Sequence, residues 1–569
     1  MNEKLKNIVH ECDFCVVGGG LAGICAAIAA ARHGQKVVLM HDRPMFGGNT
    51  SSEVRMWVSG AHGSNNRETG LLEELCLENY YRNPYRTFPI WDSVLFEAVK
   101  KEQNITYLLN CSCMDCEMDG DTIVSVTGWQ GTTQQFHKVT AKLFADCSGD
   151  SILAPLTGAE YTMGREARSK YNESIAPLEA DARTMGNTCL IQARQLDEPR
   201  PFIAPDWARK ITREDLVHRF GSIQDPAENY WYLELGGMRH TIDDAEEIRD
   251  DLIALAYGMW DYIKNSGDCD ADNWELDWVG YLPGKRESRR YIGDYVMTQN
   301  DISARGQFPD TVAFGGWTMD DHNPMGIDTH EPPNTFHPAP SPFGIPYRSL
   351  YSKNIKNLFC AGRNISVTHS AMSATRVMAT CATIGQAVGT AAALTKRTPR
   401  EVDIKLLQQT LMADGCFLPG FKMEVSPIMA CSDAPKALIN GLDRGEGSYV
   451  SLTPGEALTV TFEKETAISE IRIILDSDLD RKTVGAQGFL PEKPTLSNYP
   501  LAQEPVCIPE TLVQHLTVET LDGKCLANIE DNHQRLLTIP TDVTCGGLKI
   551  TAHTTHGAET ANIFSLDVR

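Results

Sequence analysis

Between Asp13 and Gly48 the chain reads DFCVVGGGLAGICAAIAAARHGQKVVLMHDRPMFGG. An apolar run from Phe14 to Val17 meets three glycines, then an Ala-rich segment, then a second apolar run from Lys36 to Met40. Short apolar runs bounded by glycine read as buried strands, and the Ala-rich segment between them reads as a helix. Gly18, Gly20 and Gly23 place G-x-G-x-x-G at the strand-to-helix junction, where a dinucleotide needs it. The three glycines serve a tight turn, close approach of backbone to a pyrophosphate, and close helix–strand packing. Leu21 and Ala22 then open a helix whose free N–H groups and positive dipole end face the phosphates. A plain buried β-α turn is the competing reading.

At 569 residues the chain exceeds a single core, and ordinary domain sizes predict about three or four units. Hydrophobic content of 42% and charged content of 22% are those of a globular protein in water. A net charge of −23 argues against nucleic acid or an anionic membrane as the main partner. The opening MNEKLKNIVHEC has no apolar signal region, and Leu21 to Ala31 is too short to span a bilayer. Seventeen scattered cysteines fit free thiols in a reducing cytoplasm, the expected location. Two C-x-x-C pairs, Cys12/Cys15 and Cys113/Cys116, lie in strand-like stretches. Residues three apart on a strand point to opposite faces, so these cysteines read as small hydrophobes and no metal is expected.

Along the chain, Glu68 to Tyr81 and Trp91 to Lys101 read as helices, and Thr106–Leu109 and Thr122–Trp129 as strands, with a turn at Asp119-Gly120. Lys142 to Ser151 is a further apolar strand ending in small and acidic residues. From Tyr161 to Ser349 the periodicity is irregular, as in a substrate-covering insertion. An apolar strand at Asn357–Ala361 follows, then one long small-residue helix from Ala374 to Leu394 and a shorter one from Ile404 to Ala413. Beyond Gly441 strand alternations recur at Ala457–Phe462, Ile468–Leu475, His515–Leu521, Leu536–Ile539, Leu548–Ala552 and Ile563–Val568. That texture predicts an all-β sandwich.

The second strand of a dinucleotide site ordinarily ends in Glu or Asp, which holds a ribose. Here His41 stands in that place, followed by Asp42, and the His41 ring, Asp42 or main chain could serve. In DRPMFGGNTSSEVR, the run of Arg43, Gly48, Asn49, Ser51, Ser52 and Glu53 suits a backbone that wraps a long cofactor.

These segments, with ADCSGD, GKRESRRYIGDYVMTQND, FGGWTMDDHNP and the stretch IPYRSLYSKNIKNLFCAGRNISVTHSAMSATRVMATCATIGQAVGTAAAL, resemble the FAD-dependent oxidoreductases with a glutathione-reductase-type FAD domain. The resemblance covers about residues 10 to 420. It implies an α/β fold: a Rossmann-like FAD domain at 1–160 and 350–420 with a substrate domain inserted at 161–349, to which the strand-rich texture further on adds a linker at 421–440 and the sandwich at 441–569. It further implies Ala374, Thr375, Arg376 and Val377 near the isoalloxazine, and Gly362 and Arg363 near the ribitol and pyrophosphate. Asp146, Gly149 and Asp150 would line the adenosine half. The final β domain is similar to galactose-binding-like sandwiches, which points to a carbohydrate as the small-molecule substrate. Its other reading is an accessory domain that buttresses a homo-oligomer or covers the active site.

Flavin takes a hydride from carbon while a base takes the hydroxyl proton, and histidine suits that base. His62, His322 and His369 all sit in polar, loop-like stretches. His369 ranks first because it directly precedes the predicted flavin-facing helix. Arg286, Arg289 and Arg290 lie within GKRESRR beside Glu287, and either bind a carboxylate or sugar hydroxyls, or form structural ion pairs. Arg55 is a weaker member of the set. The reading is an FAD enzyme oxidising a CH–OH group of a sugar or glycoside. Two rivals remain: a redox-neutral glycoside hydrolase or lyase working through transient oxidation, and a binding module in which FAD is structural.

Overall fold

The computed structural model describes residues 5–481, 483–484, 490–491, 494–503 and 505–569. Two compact units emerge. The first joins Met1–Ala61, Tyr85–Leu407 and Lys493–Glu504; the second joins His62–Pro84, Gln408–Glu492 and Pro505–Arg569.

The first unit is built on one sheet of β1 (Lys6–Val17), β2 (Val37–Met40), β3 (Ile105–Leu108), β4 (Cys111–Asp119), β5 (Thr122–Gln130), β6 (Gln135–Asp146) and β7 (Leu358–Cys360). Its order is β3-β2-β1-β6-β5-β4, with β7 also paired to β6. β1 runs parallel to β2 and β6, β2 to β3, and β6 to β7, whereas β4, β5 and β6 form an antiparallel meander. The parallel half explains the continuous apolar runs, because Phe14–Val17 and Val37–Met40 are buried on both faces. β1 begins well before Phe14: Lys6–Cys12 pairs with Gln135–Ala141 outside that buried zone, where the apolar signal fades.

α1 (Leu21–Arg32) follows β1 and is buried along all but its last residue. The inserted region packs its own core around α2 (Ala245–Asn265), whose Leu252, Ala256, Met259, Trp260 and Ile263 meet Tyr230 and Trp274. After β7 the chain forms α3 (His369–Thr375) and α4 (Met378–Leu394). The single helix expected from Ala374 to Leu394 is therefore two helices, bent by 93° at Arg376–Val377. Thr368 caps α3 through an Oγ1 that accepts from the Ala371 N–H at 3.2 Å. The small residues of α4 lie against α1. A Cβ added at Gly385 or Gly389 would sit 2.1 Å from the Ala22 or Ala26 carbonyl oxygen.

The second unit is an antiparallel sheet of β8 (Val450–Leu452), β9 (Ala457–Leu475), β10 (Val513–Thr520), β11 (Cys525–Ile529), β12 (Leu536–Thr555) and β13 (Ala561–Val568), in the order β8-β13-β9-β12-β10-β11. Four of the short strands read from sequence are halves of β9 and β12. These long strands shift register between Thr461 and Thr466 and between Ile468 and Glu470, which interrupts the alternation mid-strand. The helix expected from Glu68 spans Leu71–Arg82 and belongs to this unit. Its buried Glu73 accepts from Arg481 Nη1 and Nη2 at 2.9 and 2.7 Å and from Ser477 Oγ at 2.7 Å. Burial alone would raise the Glu73 pKa, but Arg481 outweighs it and holds it below the ordinary value. Among the described residues no single helix is long and apolar enough to cross a membrane.

Candidate active site

Gly18 ends β1 with φ +108°, and its N–H donates to the Met40 carbonyl at 2.8 Å. A Cβ there would lie 2.4 Å from the Cys147 backbone, and one on Gly23 would lie 1.8 Å from the Gly18 oxygen. Both positions demand glycine for packing. Gly20 differs, because the nearest atom to its hypothetical Cβ is the Gly48 Cα at 3.9 Å. The backbone at Gly20 is thus bare on the side where it borders a cavity of about 690 Å³. The first turn of α1 holds no acidic residue, so no side chain of its own offsets its positive end.

Gly19, Gly20, Leu21 and Ala22 line this cavity together with His41, Asp42, Arg43, Gly48, Asn49, Gly149, Asp150, Gly362 and Arg363. The loop after β2 is fixed by the Gly47 N–H donating to the Gly19 oxygen at 2.9 Å. Ser51, Ser52 and Glu53 do not line the cavity. Ser51 Oγ donates to the Gly48 oxygen at 2.8 Å, and the Ser52 N–H donates to Asp92 Oδ1 at 3.1 Å, so they shape the loop instead. Burial raises the Glu53 pKa against the pull of Arg43. His41 is 4% exposed, and its Nδ1 accepts from the Gly19 N–H at 3.0 Å. Asp42 Oδ1 lies 3.2 Å from the same nitrogen, but the amide already occupies its lone pair. The proton is then on Nε2, which is buried without a hydrogen-bond partner.

Asp146 is buried and also off the cavity. It accepts from Ser148 N–H, Ser148 Oγ, Leu153 N–H and Tyr291 OH at 2.7–2.9 Å, and burial raises its pKa despite these bonds. It shapes the turn that presents Gly149 and Asp150. Asp150 accepts from Lys285 Nζ at 2.7 Å, Ser288 Oγ at 2.8 Å and Arg363 Nη2 at 2.8 Å. Burial opposes ionisation there, yet Arg363 and Lys285 bring its pKa down to about 2. Arg43 Nη1 and Arg363 Nε remain buried without partners at this end of the cavity. A bare glycine backbone, an unopposed helix N-terminus and unpartnered donors fit a dinucleotide with its pyrophosphate.

The other end of the cavity is lined by Trp57, Asn187, Trp231, Arg286, Trp317, Asp320, His322, Asn334, Phe336, Arg376, Val377 and Met378. Thr375, expected beside Arg376, is fully buried and off the wall. His322 and Asp320 lie two apart on the strand Met319–His322, hence on one face. His322 Nδ1 is 2.6 Å from Glu234 Oε2, and Nε2 is 3.1 Å from Asp320 Oδ2. Asp320 also accepts from Asn334 Nδ2 at 2.5 Å and Arg376 Nη2 at 3.2 Å. Burial opposes its charge, but His322 and Arg376 hold its pKa far below the carboxylate range. The Trp231 ring meets His322 edge-on at 5.3 Å.

His369, ranked first from sequence, is not on this wall. Its Nδ1 lies 3.0 Å from both Glu287 oxygens and its Nε2 lies 3.1 Å from Asp321 Oδ1. Burial alone would lower its pKa, but the two carboxylates overcome that and raise it to about 10. The ring is a fixed cation at neutral pH, not a proton acceptor. His62 belongs to the second unit and is exposed.

The arginines divide similarly. Arg286 reaches the wall, with Nη1 donating to Gly186 O at 3.1 Å and Thr188 Oγ1 at 2.8 Å, and Nη2 donating to Trp231 O at 2.7 Å. Its Nη1 is also 3.1 Å from Glu234 Oε1, a charge contact without hydrogen-bond alignment. Arg290 is buried between Glu287 and Glu166. Arg289 lies over the Tyr161 ring, and Arg55 bonds Gln192 and stacks on Trp278 at 4.4 Å; neither lines the cavity. Sequence reasoning missed Glu234, Asp320, Asn187, Lys285 and the aromatic wall. Only Asp320 carried a local signal, its two-residue spacing from His322.

A family model described as FAD dependent oxidoreductase matches residues 13–411, more than half of the chain. No curated protein matches it in sequence. Among solved structures, L-proline dehydrogenase from P. horikoshii is 19% identical with a TM-score of 0.17, covering 29% of this chain and 26% of its own. The chain thus spans about a quarter of that protein's length. Quinol fumarate reductase FrdA from E. coli is 13% identical with a TM-score of 0.28, covering 68% and 70%. The family 32 carbohydrate-binding module from Streptococcus pneumoniae EndoD is 9% identical with a TM-score of 0.17, covering 24% and 91%.

Proposed function

The chain belongs to the FAD dependent oxidoreductase family, and from that premise we propose that it oxidises a CH–OH group of a sugar or glycoside. Bound FAD supplies the acceptor for a hydride and its two electrons. The observation that carries the proposal is His322, held at the cavity wall between two carboxylates.

Both carboxylates can only accept, so Nδ1 is held on Glu234 and Nε2 on Asp320 at the cavity wall. In the proposed step the substrate hydroxyl passes its proton to the His322–Asp320 pair as the hydride leaves its carbon. Glu234 fixes the ring, while Arg376 and Asn334 fix Asp320. Trp231, Trp317 and Phe336 on the same wall offer apolar faces to the C–H side of a sugar ring, which supports a carbohydrate over a more polar substrate. We propose a reducing, cytoplasmic setting as well, which accords with the seventeen cysteines scattered along the sequence.

The test is anaerobic bleaching of the flavin by candidate sugars and glycosides, in the native protein and in H322N. The expected result is bleaching by a sugar alcohol function that slows about 10²–10⁴-fold in H322N while FAD stays bound. Glycoside cleavage with the flavin still oxidised would favour the redox-neutral route instead. Bleaching at an unchanged rate in H322N would remove His322 from the reaction.

A further inference from the structure

We propose that the substrate is an uncharged polyhydroxy compound, recognised through its hydroxyls and not through a carboxylate. This rests on the preceding reading of the cavity as the site of CH–OH oxidation.

The argument starts from where the cationic groups point. A cluster such as GKRESRR suggests a carboxylate clamp, because an arginine with two free N–H groups binds a carboxylate bidentately. At the substrate end of the cavity each arginine already faces a carboxylate. Arg286 has both terminal nitrogens bonded to Gly186, Thr188 and Trp231, and its charge faces Glu234. Arg376 places Nη2 on the backbone and side-chain oxygens of Asp320. Each cation is thus matched by a buried carboxylate, and Glu234 is itself wholly inaccessible to solvent. A substrate carboxylate entering here would meet Asp320 and Glu234 as like charges in a buried setting.

Among the described residues, Asn187 Oδ1 and Arg376 Nε are buried on this wall without a hydrogen-bond partner, and their chemistry is complementary to a hydroxyl. Asn187 Oδ1 is an acceptor without a donor, in a residue 1% exposed. Arg376 Nε is a donor without an acceptor. A hydroxyl both donates and accepts, so neighbouring hydroxyls of a polyol satisfy both atoms; a carboxylate can satisfy only Arg376. The contrast with the glycine end is instructive, since Arg43 carries an unpartnered buried Nη1 there, suited to a phosphate. Within one cavity, charge is available for the cofactor and neutralised for the substrate.

The experiment titrates the FAD-loaded protein with matched pairs: methyl β-D-glucoside against methyl β-D-glucuronide, methyl β-D-galactoside against its uronide, and glycerol against glycerate. Binding is read from the perturbation of the flavin absorbance, which needs no turnover, and oxidation from anaerobic bleaching. The expected result is half-saturation at least about tenfold lower for the neutral member of a pair. In N187A that neutral ligand should lose about tenfold in affinity with a smaller change in limiting bleaching rate. Equal or tighter binding of the anionic members, or no binding by any neutral member, overturns the inference. Neutral preference in binding without any bleaching supports the inference while refuting the dehydrogenase reading.

Discussion

Replacing His369 separates structural from catalytic histidine at this site. In the wild type the ring is 4% exposed between Glu287 and Asp321, with its pKa raised from 6.5 to about 10. That rise corresponds to about 5 kcal/mol of preference for the charged over the neutral ring. In H369Q, Glu287 keeps Arg290 and the Met185 N–H, so the penalty falls chiefly on Asp321 and on the lost cation. The expected destabilisation at pH 6.5 is therefore about 3 kcal/mol, the lower part of the range for breaking a buried ion pair. Because the folded-state pKa lies above the unfolded one, this contribution is complete below pH 6.5. It is lost progressively as pH rises from there towards 10. Urea denaturation of wild type and H369Q at pH 6.5, 8 and 9.5, with FAD saturating, measures the difference. The gap should narrow steadily with pH, and the flavin should remain reducible in the variant. A gap that is constant with pH, or a variant of normal stability that no longer reduces its flavin, would refute the fixed-cation account.

Other perturbations discriminate packing from binding. In G20V the added side chain fills the bare face bordering the cavity, so FAD binding should be lost in equilibrium dialysis while the circular dichroism spectrum is retained. In G23A the new Cβ collides with the Gly18 oxygen, so stability itself should fall, by about 1–3 kcal/mol in denaturant titration. D150N leaves Lys285 and Arg363 with a weaker anchor, and FAD affinity by fluorescence titration should drop about tenfold. In the second unit, E73Q leaves Arg481 buried beside an uncharged amide, at a cost of about 3–5 kcal/mol seen as a lower denaturation midpoint of that unit.

The features legible in the sequence are those that neighbouring residues determine. The glycine motif, the buried parallel strands and the turn at Gly120 each depend on a few consecutive side chains, and each appears where expected. At the glycine end of the cavity the lining follows the same local motifs, while Gly23, Ser51, Ser52, Glu53 and Asp146 lie off the wall there and Thr375 lies off it at the other end. The bend at Arg376–Val377 was hidden because Ala, Ser and Thr continue through it with no Gly or Pro to mark the break. Likewise the halves of β9 and β12 looked like separate strands, since a register shift removes alternation without ending the hydrogen-bonded ladder.

The two histidines show the harder limit. His322 and His369 each sit between two carboxylates, and the flanking residues favour His369, which precedes the predicted flavin-facing helix yet lies off the cavity wall. What separates them is supplied from far away: Glu234 lies 88 residues before His322, and Glu287 lies 82 before His369. One strand, Met319–His322, then assigns the rest. Its alternate residues Asp320 and His322 share the face that lines the cavity, while Asp321, on the opposite face, reaches His369. Two adjacent aspartates thus face different histidines by parity alone: Asp320 meets His322 at the cavity, and Asp321 meets His369 away from it. A one-residue register slip would exchange these partners, so the register of this strand sets which histidine has a carboxylate beside it at the cavity wall.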